Sequence, residues 1–234
     1  MNLITPLCEP FLLLRNSEIT RCQDNLRDLL LAWMPIPVAA VATCSNNDLP
    51  IFLAEKELVI SAVPRRQADF IGGRWCAHRC IEQLGYIPEP ILVNPFGGPT
   101  WPVGFVGSIT HESGICIAVV AQRSILNGIG IDLFDARRDY DMHELRDNYL
   151  THREQITYTS LGQLEAQVLF STKESIIKLF SGELGWFLDM KTIDVMLGNG
   201  TFTGEIHPYG CRANGYWDYL PPFILTAAVP SSGS

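Results

Sequence analysis

Apolar residues recur at helical spacing in three long segments of this chain. The pattern predicts helices over residues 22–34, 64–84 and 164–180. The second helix begins at Pro64 and ends at Gly85, and these residue types are favoured at the two ends of helices. A polar segment between the second and third helices predicts shorter helical pieces.

Short apolar runs separated by turn residues predict strands. They cover residues 38–43, 57–62, 106–110, 115–121, 129–133, 195–200, 201–206 and 223–229. Residues 111–114, beginning with His111, are expected to form a hairpin turn, and residues 88–102 an irregular loop rich in Pro and Gly. Each half of the chain then has one major helix and several strands. We therefore predict an α+β fold of two similar halves, residues 1–124 and 125–230.

Composition restricts the class of protein. With 47% apolar and 18% charged residues, the chain has the composition of a compact soluble protein. A net charge of −8 opposes nonspecific binding of nucleic acid. The apolar stretch 29–44 contains two prolines and is too short to span a bilayer, so we expect no transmembrane segment.

The seven cysteines include no Cys-x-x-Cys pair. Cys76 and Cys80 are four residues apart on a predicted helix. A metal site there would need a second pair of ligands, which the sequence does not offer, so we interpret both residues as buried thiols. Reduced cysteines favour a cytoplasmic location.

Two segments place charge within apolar sequence. Asp132 follows a glycine-interrupted strand, where its carboxylate is suited to Mg²⁺ or, alternatively, to capping a turn. Glu174 and Lys178 share one face of the third helix, and Lys173 is about 100° around it. The alternative is a surface ion pair, but the flanking residues are largely apolar. Because buried charge is costly unless it is paired, these residues predict a site for a metal-bound phosphate.

Basic residues at the start of the second helix suggest an anion site. Arg65, Arg66 and Arg74 form the densest run of arginine in an acidic chain, and guanidinium groups bind phosphate with two parallel hydrogen bonds. His111 is placed in the predicted hairpin turn, where a histidine taken alone is more often structural.

Together these segments resemble the 4′-phosphopantetheinyl transferases of the surfactin and enterobactin type. The resemblance covers roughly residues 55–180. It rests on Arg65-Arg66 with Phe70 and Gly73-Arg74, Trp101-Pro102 with Gly104 and Gly107-Ser108-Ile109-Thr110-His111, Gly130-Ile131-Asp132, and Phe170-Ser171 with Lys173-Glu174 and Lys178.

The resemblance implies a monomer of two pseudo-twofold halves with coenzyme A in the cleft between them. It implies transfer of the phosphopantetheine arm to a serine of an apo carrier protein, releasing adenosine 3′,5′-bisphosphate. It also implies that Asp132 and Glu174 ligate Mg²⁺, or Mn²⁺, and that Glu174 is the base for the serine. Lys178 would neutralise phosphate charge, and Lys173 would support the catalytic site. The coenzyme A-binding residues that it implies are Arg66, Arg74, Ser108, Thr110, His111 and Lys178.

The chain departs from the family pattern at Phe134, where many relatives carry a further carboxylate. A water molecule, or Asp135 if the strand bulges, would take its place, or metal binding is impaired. We favour the water, because Mg²⁺ commonly keeps several. The expected partner is a peptidyl or aryl carrier domain of a nonribosomal peptide synthetase that makes a siderophore. The competing hypothesis is a degenerate relative that binds coenzyme A or the carrier without catalysis.

Overall fold

The computed structural model describes residues 16–34, 38–138, 142–185 and 188–231. The helices are α1 (Asn16–Trp33), α2 (Leu53–Glu57), α3 (Pro64–Gln83), α4 (Met142–Tyr149), α5 (His152–Thr157) and α6 (Gln163–Leu184), with a 3-10 turn at Met190–Thr192. The strands are β1 (Ala39–Cys44), β2 (Leu92–Val93), β3 (Pro99–Thr100), β4 (Phe105–Glu112), β5 (Ile115–Gln122), β6 (Gly130–Asp135), β7 (Ile193–Leu197), β8 (Thr201–Ile206), β9 (Cys211–Leu220) and β10 (Phe223–Pro230).

Two antiparallel sheets organise these elements. The first has the order β1-β5-β4 and carries α3 on one face, while the second has the order β6-β10-β9-β8-β7 and carries α6. Strands β2 and β3 form a separate small ladder. Each half therefore consists of a long helix on an antiparallel sheet, and the predicted α+β fold of two halves is confirmed.

The two sheets meet at a seam between β4 and β6. Side chains rather than a backbone ladder connect these strands: the Ser108 hydroxyl accepts a hydrogen bond from the Ile131 N–H (3.0 Å), and the Thr110 hydroxyl accepts one from the Leu133 N–H (3.1 Å). On the face opposite α3 and α6, α1 packs against both sheets in one continuous apolar core. The seam is therefore a fixed junction, and the cleft between α3 and α6 lies above it.

The hairpin of β4 and β5 is tighter than predicted. Its turn consists of Ser113 (φ 47°) and Gly114 (φ 82°), both with the positive φ of a two-residue type I′ turn. Because so short a turn lets β4 continue to Glu112, His111 lies in a strand opposite Cys116. The prediction that His111 occupies the turn was wrong.

The predicted strand over residues 57–62 is also wrong, since α2 ends at Glu57 and residues 58–62 form turns and a bend. The preceding helical turn is held by Glu55, whose buried carboxylate accepts hydrogen bonds from the N–H groups of Phe52 (3.1 Å) and Ile91 (2.7 Å) and contacts His78. The apolar residues Leu58 and Ile60 that suggested a strand are exposed and have no core behind them.

The hydrophobic pattern misses β9, although it is the central strand of the second sheet. Its buried positions carry the small residues Ala213 and Gly215, while its outward positions are polar or aromatic. In the described ranges no helix is long and apolar enough to cross a membrane.

Candidate active site

Asp132 is the centre of a hydrogen-bonded group at the seam. Its Oδ1 accepts a bond from Lys178 Nζ at 2.6 Å, and its Oδ2 accepts one from the Ser171 hydroxyl at 2.8 Å. The Thr110 hydroxyl lies 3.2 Å from Lys178 Nζ and 3.4 Å from Asp132 Oδ1. One carboxylate thus joins β4, β6 and α6.

Glycine at position 130 allows α6 to come this close to β6. A Cβ added there would lie 1.9 Å from the Ser175 carbonyl oxygen, which is inside any permitted contact. This close approach brings Ser171 and Lys178 of α6 within hydrogen-bond distance of Asp132 on β6. The glycine in this strand is therefore explained by backbone packing.

A cavity of about 310 Å³ opens beside Asp132. Its lining consists of Ile109, Thr110, His111, Glu112, Asp132, Leu133, Phe134, Arg138, Phe170, Glu174 and Lys178. Burial raises the pKa of Glu174, and the charge of Asp132 adds to this effect while Lys178 opposes it. The cavity therefore brings together five predicted site residues and contains a carboxylate with increased proton affinity.

A second cavity of about 510 Å³ adjoins the first. The two share Ile109 and Lys178, and the second is lined by Ser108, Trp101 and the loop that follows Trp101. Lys178 thus stands where the two cavities meet.

His111 lies between Arg66 and Asp69. Its Nε2 is 3.4 Å from Arg66 Nη1, and its Nδ1 is 3.6 Å from Asp69 Oδ2. Burial lowers the pKa of His111, and the neighbouring charges of Lys178 and Arg66 act in the same direction, whereas Asp69 opposes them. Arg66 is therefore beside the cavity, adjacent to His111, while His111 itself lines it.

Arg74 lies apart from both cavities. Its guanidinium donates hydrogen bonds to the carbonyl oxygens of Ile91 (2.7 Å) and Leu92 (3.3 Å) and rests over the Phe70 ring at 4.4 Å. Burial lowers the pKa of Arg74 to about 10. In this arrangement Arg74 anchors the chain at β2.

Lys173 also differs from expectation. Its fully buried ammonium donates to the carbonyl oxygens of Tyr149 (2.7 Å) and Met190 (2.9 Å) and to Glu154 Oε2 (2.6 Å). These three bonds use all three protons of the ammonium group. Burial lowers the pKa of Lys173, and Glu154 opposes this shift. Lys173 lines neither cavity and makes a structural contact here, and its predicted supporting role in catalysis stays a prediction.

Phe134 occupies the position at which the family resemblance implies a further carboxylate. It is on the same face of β6 as Asp132 and packs against Phe170 (ring centroids 5.7 Å apart). The pairing of β6 with β10 is regular through Asp135, so there is no bulge. Asp135 points to the other face and pairs with Arg137 at 2.6 Å and with the Ser113 hydroxyl at 2.7 Å. The alternative in which Asp135 replaces the carboxylate is therefore wrong.

The cavity also contains two charged residues that sequence reasoning missed, Glu112 and Arg138. No motif marks them, because they come together only when the hairpin turn meets the end of β6.

The cavity is chemically suited to a hard divalent cation. Asp132 and Glu174 offer carboxylate oxygens, which Mg²⁺ prefers, and Mg²⁺ commonly completes its shell with water. Among the described residues, no group of three or more His, Cys, Asp or Glu side chains forms a metal-binding cluster. Among the described residues of the lining, Asp132 and Glu174 are the two carboxylates suited to this role, since the third, Glu112, pairs with Arg138.

Comparison with known proteins gives the class of this site. The model of the 4′-phosphopantetheinyl transferase N-terminal domain matches residues 54–121, and that of the 4′-phosphopantetheinyl transferase superfamily matches residues 128–218. The chain is 31% identical over 200 residues to 4′-phosphopantetheinyl transferase Npt of Nocardia iowensis, covering 77% of this chain and 90% of Npt. It is 30% identical over 182 residues to 4′-phosphopantetheinyl transferase Svp of Streptomyces mobaraensis, covering 73% and 74%. Enterobactin synthase component D of Salmonella typhimurium is 28% identical over 165 residues, covering 65% and 68%.

The chain belongs to the 4′-phosphopantetheinyl transferase superfamily, and it is an enzyme of that class. The predicted family and the predicted transferase activity are confirmed. Enzymes of this family use coenzyme A and act on carrier proteins.

Proposed function

We propose that this chain transfers the 4′-phosphopantetheine group of coenzyme A to a serine of a peptidyl or aryl carrier domain, with release of adenosine 3′,5′-bisphosphate. The observation that supports this most is the meeting of Asp132, Glu174 and Lys178 in one cavity at the seam. Phosphoryl transfer depends on positioning and charge neutralisation, and these side chains supply both.

In this proposal Asp132 and Glu174 hold Mg²⁺, with Mn²⁺ as the alternative. The ion would neutralise charge on the diphosphate of coenzyme A. Ser171 fixes Asp132 from the side of α6. A water molecule would take the ligand position for which Phe134 offers no carboxylate, because Mg²⁺ commonly keeps several waters.

The carrier serine attacks the phosphorus next to the pantetheine arm. A new bond forms between the serine oxygen and this phosphorus, and the bond from phosphorus to the bridging oxygen of the diphosphate breaks. Glu174 takes the serine proton, directly or through water. Lys178 offsets the negative charge that develops on the leaving nucleotide.

Coenzyme A has a diphosphate between two long arms, which suits two cavities that meet at Lys178. His111 and Arg66 are placed to bind the 3′-phosphate or another nucleotide phosphate. Ser108 and Thr110 line the cavities while they also bond β6. We assign Arg74 and Lys173 to positioning, through β2 and through Glu154.

The choice of carrier is supported by the net charge of the chain and by the named relatives. Strongly acidic acyl carriers would be repelled by a chain of net charge −8. Enterobactin synthase component D is among the relatives, which supports a synthetase that makes a siderophore, although Npt and Svp are relatives as well. A panel of apo peptidyl, aryl and acyl carriers, compared by initial rate, tests this choice. Faster modification of the acyl carriers would contradict it.

The competing function is non-catalytic binding of coenzyme A or of a carrier, and Phe134 is the observation that favours it. Binding of coenzyme A without any gain of mass by the carriers would support this alternative. We also propose a monomer, because the cavity is complete within one chain, and a cytoplasmic location, because Cys76, Cys80 and Cys116 are free thiols. Light scattering coupled to gel filtration tests the monomer.

A further inference from the structure

Arg138 lies in the wall of the cavity that contains Asp132 and Glu174. It follows β6 and is not part of any motif that defined the site. Its Nη2 is 2.5 Å from Glu112 Oε1, and Glu112 lines the same cavity from β4. The ion pair therefore crosses the seam at the cavity.

The position of Arg138 is fixed through both backbone and side chain. Its N–H donates to the Asp135 carbonyl oxygen (3.2 Å), and its own carbonyl oxygen accepts a bond from Gln167 Nε2 (3.3 Å). The Ser113 hydroxyl lies 2.9 Å from Glu112 Oε1 and 2.7 Å from Asp135 Oδ2. Glu112 is thus held by the hairpin turn, and it holds the guanidinium against the cavity.

The charges of the cavity explain why a guanidinium is useful there. Phe134 offers no ligand to a metal, whereas Arg138 brings a guanidinium to the same wall, where its half-exposed side chain pairs with the Glu112 carboxylate. A diphosphate needs positive charge around it, and a guanidinium offers five N–H donors with a geometry that fits phosphate oxygens. A guanidinium at this position would neutralise part of the diphosphate charge that a metal would otherwise neutralise.

We propose that Arg138 binds an oxygen of the coenzyme A diphosphate and gives this chain affinity for coenzyme A that does not depend on a metal. This inference rests on the proposed function. Arg137 is a natural comparison, because it is the neighbouring guanidinium but pairs with Asp135 and does not line the cavity.

The test is isothermal titration of the full chain with coenzyme A and with adenosine 5′-diphosphate, each in EDTA and in Mg²⁺. In EDTA, we expect Arg138→Gln to lower the affinity for both ligands about tenfold, because a charge-assisted hydrogen bond is lost. Arg138→Lys should recover part of the affinity, and Arg137→Gln should stay within about twofold of the wild type. Thermal unfolding of each variant checks that it is folded.

Unchanged affinity of folded Arg138→Gln for both ligands in EDTA would overturn the inference. A variant that binds both ligands normally but has a higher KM for the carrier would also overturn it, because Arg138 would then contact the carrier. If the wild-type chain does not bind coenzyme A in Mg²⁺, the proposed function fails, which is a separate result.

Discussion

Lys178 Nζ and Asp132 Oδ1 are 2.6 Å apart, and this ion pair joins the long helix of the second half to the strand at the seam. Lys178 is also bonded to Thr110 of the first half, so one ammonium contacts both halves of the molecule. If Asp132 holds a metal as proposed, the ion would compete with Lys178 for this carboxylate, and Lys178 would then be free to contact a phosphate oxygen.

Asp132→Asn tests the metal site directly. The variant keeps the shape of the side chain but loses the charge, so its affinity for Mn²⁺ in the presence of coenzyme A is expected to fall by about tenfold to a hundredfold. Electron paramagnetic resonance of free Mn²⁺ measures this. Asp218→Asn, at an exposed carboxylate on β9, is the matched control and should bind Mn²⁺ normally. Equal Mn²⁺ affinity in both variants would remove Asp132 from the metal ligands.

Gly130→Ala tests the close approach of α6 to β6. The new methyl group would overlap the Ser175 carbonyl, and we expect a loss of roughly 1–3 kcal/mol in the free energy of unfolding. Gly182→Ala is the control, because a Cβ at this position of α6 meets nothing within 4 Å. It should stabilise the protein by about 0.5–1 kcal/mol through helix propensity. Denaturant unfolding that ranks the two variants in the opposite order would contradict this packing.

Lys173→Met separates a structural role from a catalytic one. It leaves the buried Glu154 without its cation, and the expected loss in the free energy of unfolding is about 3–5 kcal/mol. Lys173→Met combined with Glu154→Gln removes both charges and should recover part of that stability, since a glutamine can accept only one of the hydrogen bonds that Glu154 receives from the N–H groups of Thr151 and Val195. The double variant should keep transferase activity within a few-fold of the wild type. A folded double variant with no activity would return Lys173 to the catalytic residues.

His111→Ala tests the phosphate-binding role of the β4 histidine. We expect KM for coenzyme A to rise about tenfold with little change in kcat, as for loss of a hydrogen bond to a charged group. With 3′-dephospho-coenzyme A, wild type and variant should have the same KM if the 3′-phosphate is the partner. His207→Ala is the control, because His207 pairs with Asp194 in the second sheet and lines neither cavity. A difference that persists without the 3′-phosphate would assign His111 to another group.

Periodicity predicted the elements whose apolar residues face a core. This group consists of helices α3 and α6, the two predicted hairpins β4-β5 and β7-β8, and the strand β6 that carries Asp132. It failed at α2, where the buried hydrogen bonds of Glu55 determine the backbone, and at β9, whose buried positions are small. A hydrophobicity pattern reveals neither the hydrogen bonds of a buried carboxylate nor a strand whose buried residues are small.

The residues of the site were predicted partly from spacing and partly from the family resemblance, which grouped Asp132 of β6 with Glu174 of α6. Glu174 and Lys178 share a helix face, so their common location follows from the spacing alone. The contacts of Lys173 were not predicted, because only the packing of α6 decides that its ammonium turns towards Tyr149 and Glu154. Arg138 and Glu112 are 26 residues apart and meet only in the folded chain.

The proposed transfer is tested most directly by the mass of an apo peptidyl carrier after incubation with the wild-type chain, coenzyme A and Mg²⁺. We predict a gain of one 4′-phosphopantetheine group per carrier serine, and a rate lower by about a hundredfold or more with Glu174→Gln. No gain with any peptidyl, aryl or acyl carrier would contradict the proposed transfer. A gain at the wild-type rate with Glu174→Gln would contradict the assigned base.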